Sequence, residues 1–278
     1  AVRACPADVA VIDHSADGSA DRIFSKDDIA RMKAKPGGRQ MRLISYMSIG
    51  EAEDYRYYWR REWSGAARPA WLGRENPNWR GNFNVRYWMP EWQRIIFGTP
   101  GSYLDRIIAA GFDGVYLDIV DEFEFWMDRD RSGEPPRAAA AEEMVAFVSA
   151  LARYAWSQKP GFLVIPQNGE ALLRHPAYRA HISAIATEDV FYRGVPVPRG
   201  ETREDDVERQ HDAETTRRLG HLALAQTEGI PVLSVEYLMD QPEDTLRTQA
   251  TAQMMRQRRL VPHFSVRQLD RLQCGLAN

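Results

Sequence analysis

Acidic and amide residues recur in this chain directly after short apolar runs, and that placement is the first sign of chemistry. The stretch from Ala110 to Trp126 reads AGFDGVYLDIVDEFEFW. Gly111 closes a predicted helix and a β-branched and aromatic run follows it, so Asp118 and Asp121 fall at the far end of a strand or just beyond it. A buried ionised carboxylate costs several kcal/mol unless it is paired or hydrogen-bonded. The pattern repeats with Asp13 after VAVI, Glu51 after RLISYMS, Asn168 after FLVIP, Glu188 and Asp189 after the run ending at Thr187, and Glu236 and Tyr237 after PVLSV. Any one of these is also a natural helix cap or salt-bridge partner. Their joint placement at strand ends argues for a site, because (β/α)8 barrels collect such ends on one rim.

Two carboxylates facing each other across an aromatic-lined rim suit glycoside hydrolysis, one as acid/base and the other as nucleophile or as base for water. Asp118 and Glu188 are the expected pair. A separation of about 5 to 5.5 Å implies retention and about 6.5 to 9.5 Å implies inversion. Crowded carboxyls also drive their pKa values apart, so that one holds a proton near neutrality. Asp13, Glu51, Asp121, Asn168, Asp189 and Glu236 are expected around the pair as substrate contacts, with Tyr46, Trp88, Tyr116 and Tyr237 as aromatic ones. A catalytically silent sugar-binding barrel would keep Trp88 and the rim acids without needing the pair at catalytic separation.

Eight strand candidates alternate with helical stretches, the signature of a parallel α/β fold. The expected strands are Val9–Asp13, Arg42–Ser48, Phe83–Trp88, Val115–Val120, Phe162–Pro166, Ile182–Thr187, Pro231–Val235 and Val261–Val266. Between them lie an amphipathic helix capped by Ser25, a helical region from Pro90 to Ala110, and helices over Arg137–Gln158, Asp205–Glu228 and about Pro242–Arg259. The predicted fold is a (β/α)8 barrel of one domain, residues 1–278, with a long aromatic insertion after strand two. That insertion holds six of the eight tryptophans, and so long an irregular connection is uncommon unless functional. Its rings either offer flat faces to sugars or pack the loop onto the barrel.

At 278 residues the chain matches the typical barrel length of about 250. With 36 basic and 39 acidic residues interspersed, it offers no basic field for nucleic acid. No apolar run approaches the roughly 20 residues of a membrane span. Cys5 and Cys274 lie at opposite ends of the chain, and in a closed barrel the first and last strands adjoin, so a disulfide between them is expected. That bond would favour an oxidising compartment, and secretion or a periplasmic address is the matching expectation, with a monomer as the expected state.

No Gly-rich phosphate loop or nucleophile elbow occurs. The six histidines show no HExxH or HxH spacing, although His14 and His263 lie near strand ends. Asp128-x-Asp130-x-Ser132-Gly133 begins like a calcium loop, but Ala139 stands where the bidentate Glu is needed, so a solvated turn is expected. Neither a metal nor a cofactor is expected.

The strings ISYMSIGEAEDYRYYW (from Ile44), WLGRENPNWRGNFNVRYWMPEW (from Trp71), GFDGVYLDIVDEFEFW (from Gly111), VIPQNGE (from Val164), TEDVFY (from Thr187) and VLSVEYL (from Val232) together resemble glycoside hydrolase family 114. That family comprises endo-α-1,4-polygalactosaminidases and relatives, some labelled cysteinyl-tRNA-synthetase-related proteins. The resemblance implies a (β/α)8 barrel, without cofactor, that cleaves polysaccharide containing α-1,4-linked galactosamine. It also implies a catalytic Asp on strand four and a catalytic Glu on strand six, which map onto Asp118 and Glu188, with Asp118 as nucleophile and Glu188 as acid/base in a retaining mechanism. A deacetylated galactosamine carries an ammonium group, which Glu51, Asp121, Asp189 and Glu236 are placed to attract.

Overall fold

Short β-branched and aromatic runs, each too short to make a helix, form a parallel array whose central strands bury apolar residues on both faces. A computed structural model describes residues 2–65, 67–194, 207–239, 245–269 and 274. Twelve strands are present among them: β1 Val9–Ile12, β2 Arg42–Ser48, β3 Glu51–Glu53, β4 Leu72–Glu75, β5 Asn82–Val85, β6 Gly114–Asp118, β7 Leu163–Pro166, β8 Ile185–Glu188, β9 Tyr192–Gly194, β10 Val207–Arg209, β11 Val232–Glu236 and β12 Val261–Phe264. β1, β2, β6 and β7 pair in parallel in that order, as do β8, β11 and β12. A parallel bridge between Gln167 and Ala186 joins the two groups into one seven-strand array.

The array departs from the expected eight strands at the third. Of the expected strand Phe83–Trp88 only the first half is a strand, since β5 ends at Val85, and β5 pairs antiparallel with β3 and β4 in a separate sheet of the insertion. β2 therefore lies directly against β6, and Asp118 ends the third strand of the array. Among the described residues no ladder joins β12 back to β1. Register gives Val9, Val11 and Val261 the inward parity, and they are 43%, 40% and 53% exposed. Among the described residues the parallel array is not closed on that side.

Two apolar clusters reflect the two faces. Ile44, Tyr116, Ile165, Ala184 and Ala186 fill the inside of the curve. The outer face, the helices and the insertion share the larger cluster. Local signals set the helices: Ser25 forms a capping box with Asp28 at the start of Lys26–Lys33. Pro90 occupies the first turn of Pro90–Ile96, and Gly111 closes Tyr103–Ala110 at φ 97°. The single helical region expected from Pro90 to Ala110 is thus two helices, broken around Gly98 to Gly101. Ala140–Gln158, Asp212–Thr227 and Thr245–Gln257 are the later long helices. The expected starts of the last two, at Asp205 and Pro242, lie outside the described residues. No helix among the described residues is long and apolar enough to cross a membrane.

The expected disulfide is corrected to two free thiols. The topology brings the chain ends together, so that the Cys5 thiol is near enough to raise the Cys274 thiol above its usual range. Adjacency places the sulfurs side by side and does not by itself oxidise them. Four tryptophans of the insertion pack on one another: Trp63 meets Trp59 and Trp71 edge-on at 5.5 and 5.0 Å between ring centres, and Trp71 lies 4.9 Å from Trp92, whereas Trp79 is 60% exposed. These rings are the core of the insertion.

Candidate active site

A strand has period two, so each ladder dictates which tip residues look inward. Ile44 is opposite Gly114 and Tyr46 opposite Tyr116, which puts Ile44, Tyr46, Tyr116 and Asp118 on the inner face. The same counting through Ile165, Ala186 and Leu233 brings Glu188 and Tyr237 to that face. The expected pair therefore sits above the inner apolar cluster, on β6 and β8.

Each acid is held by a tyrosine. Tyr46 donates its hydroxyl to Asp118 Oδ2 at 2.7 Å, and Tyr237 donates to Glu188 Oε2 at 2.5 Å. Asn168 Nδ2 donates to the other Glu188 oxygen at 3.0 Å. Burial, with the neighbouring Glu188 charge second, pushes the Asp118 carboxyl up to about 7. Asp121 is pushed to about 7 by burial and by the charges of Glu124 and Glu188. Three successive tips end alike, with Ile119, Asn168 and Asp189 at φ 56°, 59° and 54°. Left-handed backbone costs a β-branched residue such as Ile119 most, and such strain gathers at functional sites. Gly50 admits this turn, because a Cβ there would come within 2.1 Å of the Ile119 carbonyl oxygen.

These carboxyls set a pH dependence. Both bind a proton in the folded chain up to about pH 7 but release it near pH 4 when unfolded. The folded state thus holds more protons in between, and stability falls as pH rises from about 4 to about 7. Thermal melts at pH 5 and pH 8 are expected to give the higher Tm at pH 5, with the difference reduced in Asp118→Asn. An equal or larger difference in that variant would contradict the assignment.

Asp121 keeps an open carboxylate, partnered among the described residues only by its own backbone N–H. The other expected rim acids are spoken for. Glu236 has the outward parity: it is fully buried and accepts the backbone N–H groups of Val190, Phe191 and Tyr192 at 3.0 to 3.1 Å. Asp189 is paired with Arg267 at 3.0 Å. Glu51 is 2% exposed and accepts from Asn76 at 2.7 Å and Asn82 at 3.2 Å inside the insertion. Asp13 accepts from Arg56 at 2.8 Å and His14 at 3.0 Å. Against the opposing pull of burial, the His14 hydrogen bond and the Arg56 charge hold it below the usual range.

Trp88 packs between Tyr87 and Trp126, with the Arg137 guanidinium 4.1 Å over its ring. Asp128 caps the short helix Arg129–Ser132 by accepting from Asp130 N and Arg131 N, which is the expected turn. Glu122, the residue after Asp121, is buried against Asn84, and burial and Glu51 raise it well above the usual carboxylate range. A groove of about 830 Å³ on the insertion is lined by Arg68, Arg74, Arg80 and Arg86. Asp54, Glu75 and Glu134 line it too, so its charge is mixed, and Arg86 is paired with Glu134 at 2.5 Å. Among the described residues no group of three or more His, Cys, Asp or Glu is arranged to hold a metal ion.

Sequence reading missed Arg218 and Glu170. Arg218, from Asp212–Thr227, pairs with Glu170 at 2.5 Å, and Thr187 donates to the same carboxylate oxygen. An arginine followed by polar and apolar residues at helical spacing carries no mark of burial, so only its tertiary partners identify it.

Residues 2–276 match the model of glycoside-hydrolase family GH114. An uncharacterized protein of Thermotoga maritima is 38% identical over 84% of this chain and 65% of its own length. Another, of Methanocaldococcus jannaschii, is 39% identical over 83% of this chain and 60% of its own. The chain thus spans under two thirds of both relatives. Among solved structures, the glycoside hydrolase domain of PelA from Pseudomonas aeruginosa superposes with a TM-score of 0.67 at 20% identity, over 97% of this chain and 90% of that one. The trehalulose synthase MutB from Pseudomonas mesoacidophila gives 0.57 at 11% identity, over 93% and 57%.

Proposed function

Because this chain belongs to glycoside-hydrolase family GH114, we propose that it is an endo-acting hydrolase of polysaccharide containing α-1,4-linked galactosamine, working by two carboxylates with retention. The observation that carries this reading is the inward pair, Asp118 and Glu188, each hydrogen-bonded by a tyrosine above an apolar floor. Asp118 is the nucleophile and Glu188 the acid/base of the proposal. With no sugar bound, burial leaves a proton on Asp118 near neutrality. An ammonium beside Asp118 and Asp121 favours their ionised forms, which frees the nucleophile. The reading needs only the barrel-like array that gathers the strand tips on one rim, and a secreted or periplasmic monomer is the matching state.

The cationic sugar is the reason to single out Asp121. Glu51, Asp189 and Glu236 have their carboxyl oxygens occupied, so Asp121 is the rim acid left to meet an ammonium. Asp121→Asn is expected to raise KM on deacetylated galactosaminan by about tenfold, the size of one charge-assisted hydrogen bond, and to leave KM on the N-acetylated polymer unchanged. Equal effects on both polymers would remove Asp121 from this role. The whole reading is tested by incubating the protein with partly deacetylated galactosaminan: new reducing ends and falling polymer length are expected, and their absence defeats it.

A further inference from the structure

The buried Arg218 reaches the strand tips through one amide. Its Nη2 lies 3.3 Å from Asn168 Oδ1, 2.6 Å from Thr187 Oγ1 and 2.5 Å from Glu170 Oε1, and its Nη1 donates to the Asp189 carbonyl at 3.2 Å. Asn168 Oδ1 also accepts the backbone N–H of Glu188 at 3.3 Å. An amide oxygen that receives two donors has only one orientation, and that orientation turns Nδ2 towards Glu188 Oε1. A proton on Oε1 would set donor against donor. On Oε2 the partner is the Tyr237 hydroxyl, which turns from donating to accepting without moving its oxygen.

We propose that Arg218 is a positioning residue: it fixes the Asn168 amide as a donor to Glu188 Oε1 and so confines the transferable proton to Oε2, beside Tyr237. The role of that proton rests on the hydrolase reading, whereas the geometry does not. Glu188 is faced by Asp118 and Tyr116 from β6, by Asp121 beyond it, by Tyr237 after β11, and by Asp189 with its partner Arg267. Arg218 makes no direct hydrogen bond to Glu188; besides the Asn168 amide it holds Thr187 Oγ1 and the Asp189 carbonyl on either side of Glu188, so the amide's share is isolated by changing Asn168 itself.

Simple loss of Arg218 would strand Glu170 in the interior, so the test uses Arg218→Met combined with Glu170→Gln, against Glu170→Gln alone. In the double variant the amide is free to turn its oxygen to Glu188 and accept from a protonated Oε1, which favours the protonated acid. The 13C carboxyl titration of Glu188 in the free protein is expected to move to higher pH. Arg218→Lys, which restores a donor to Oδ1 with Glu170 in place, is expected to return it towards wild type. Asn168→Gly removes the amide at a backbone conformation glycine adopts freely (φ 59°), and is expected to move the titration as well. In turnover, the double variant is expected to lose about tenfold in kcat, with KM held and the alkaline limb displaced the same way. A Glu188 titration identical in the double variant and in Glu170→Gln alone, or unmoved in Asn168→Gly, overturns the proposal. A displaced titration in a protein that releases no sugar upholds the positioning role and defeats the hydrolase reading.

Discussion

Glu188→Gln and Asp118→Asn are each expected to cut kcat on galactosaminan by about three orders of magnitude, the usual scale for removing a general acid or a nucleophile. Neither change should disturb the fold. An amide at position 188 would still accept from Asn168 and could offer its N–H to Tyr237, and an amide at position 118 would still accept from Tyr46. Asp118→Asn also removes a carboxyl that the folded chain holds protonated up to about pH 7, so its Tm at pH 8 is expected at or above the wild-type value. A substrate whose leaving group departs without protonation separates the roles: it restores the first, glycosyl-transferring step in Glu188→Gln and not in Asp118→Asn. Wild-type turnover in both variants would end the assignment of this pair.

Arg56→Met is expected to destabilise the protein by about 3 to 5 kcal/mol, the cost of leaving a buried charge without its partner. Arg56 is 4% exposed, bonds Glu53 at 2.6 Å and Asp13 at 2.8 Å, and lies 5.0 to 5.7 Å from the centres of the Tyr55, Tyr103 and Tyr46 rings. Glu53 is 1% exposed, so its charge would have no route to water. Adding Glu53→Gln to the variant should recover part of the loss, because it removes the stranded charge. Denaturant unfolding measures both. Since Tyr46 also holds Asp118, the single variant should lower kcat as well. A loss under 1 kcal/mol would show that the ion pair is solvated.

Much of the fold is legible in local chemistry alone. The Ser25 cap, Pro90 in a first turn and Gly111 at a helix end depend on a few adjacent residues and appear where their chemistry requires. The first half of FNVRYW is equally legible as a strand, yet a strand pattern does not carry the identity of its partner, and β5 belongs to the insertion. The aromatic insertion is ambiguous in sequence for the same reason: rings that pack on each other and rings that bind sugar are the same residues, told apart by their neighbours.

By itself the sequence determined the alternation of strands and helices, the placement of acids and amides at strand ends, and the pair Asp118 and Glu188 as the candidates. These follow from periodicity and residue type, which are local. Tertiary structure alone decided which tip residues look inward, because one step of register exchanges the faces of a strand and so puts Tyr237 inside and Glu236 outside. It also decided which charges are free. Asp189 meets an arginine 78 positions away and Asn168 meets one 50 positions away, and at such separations only the folded chain determines which side chains are neighbours.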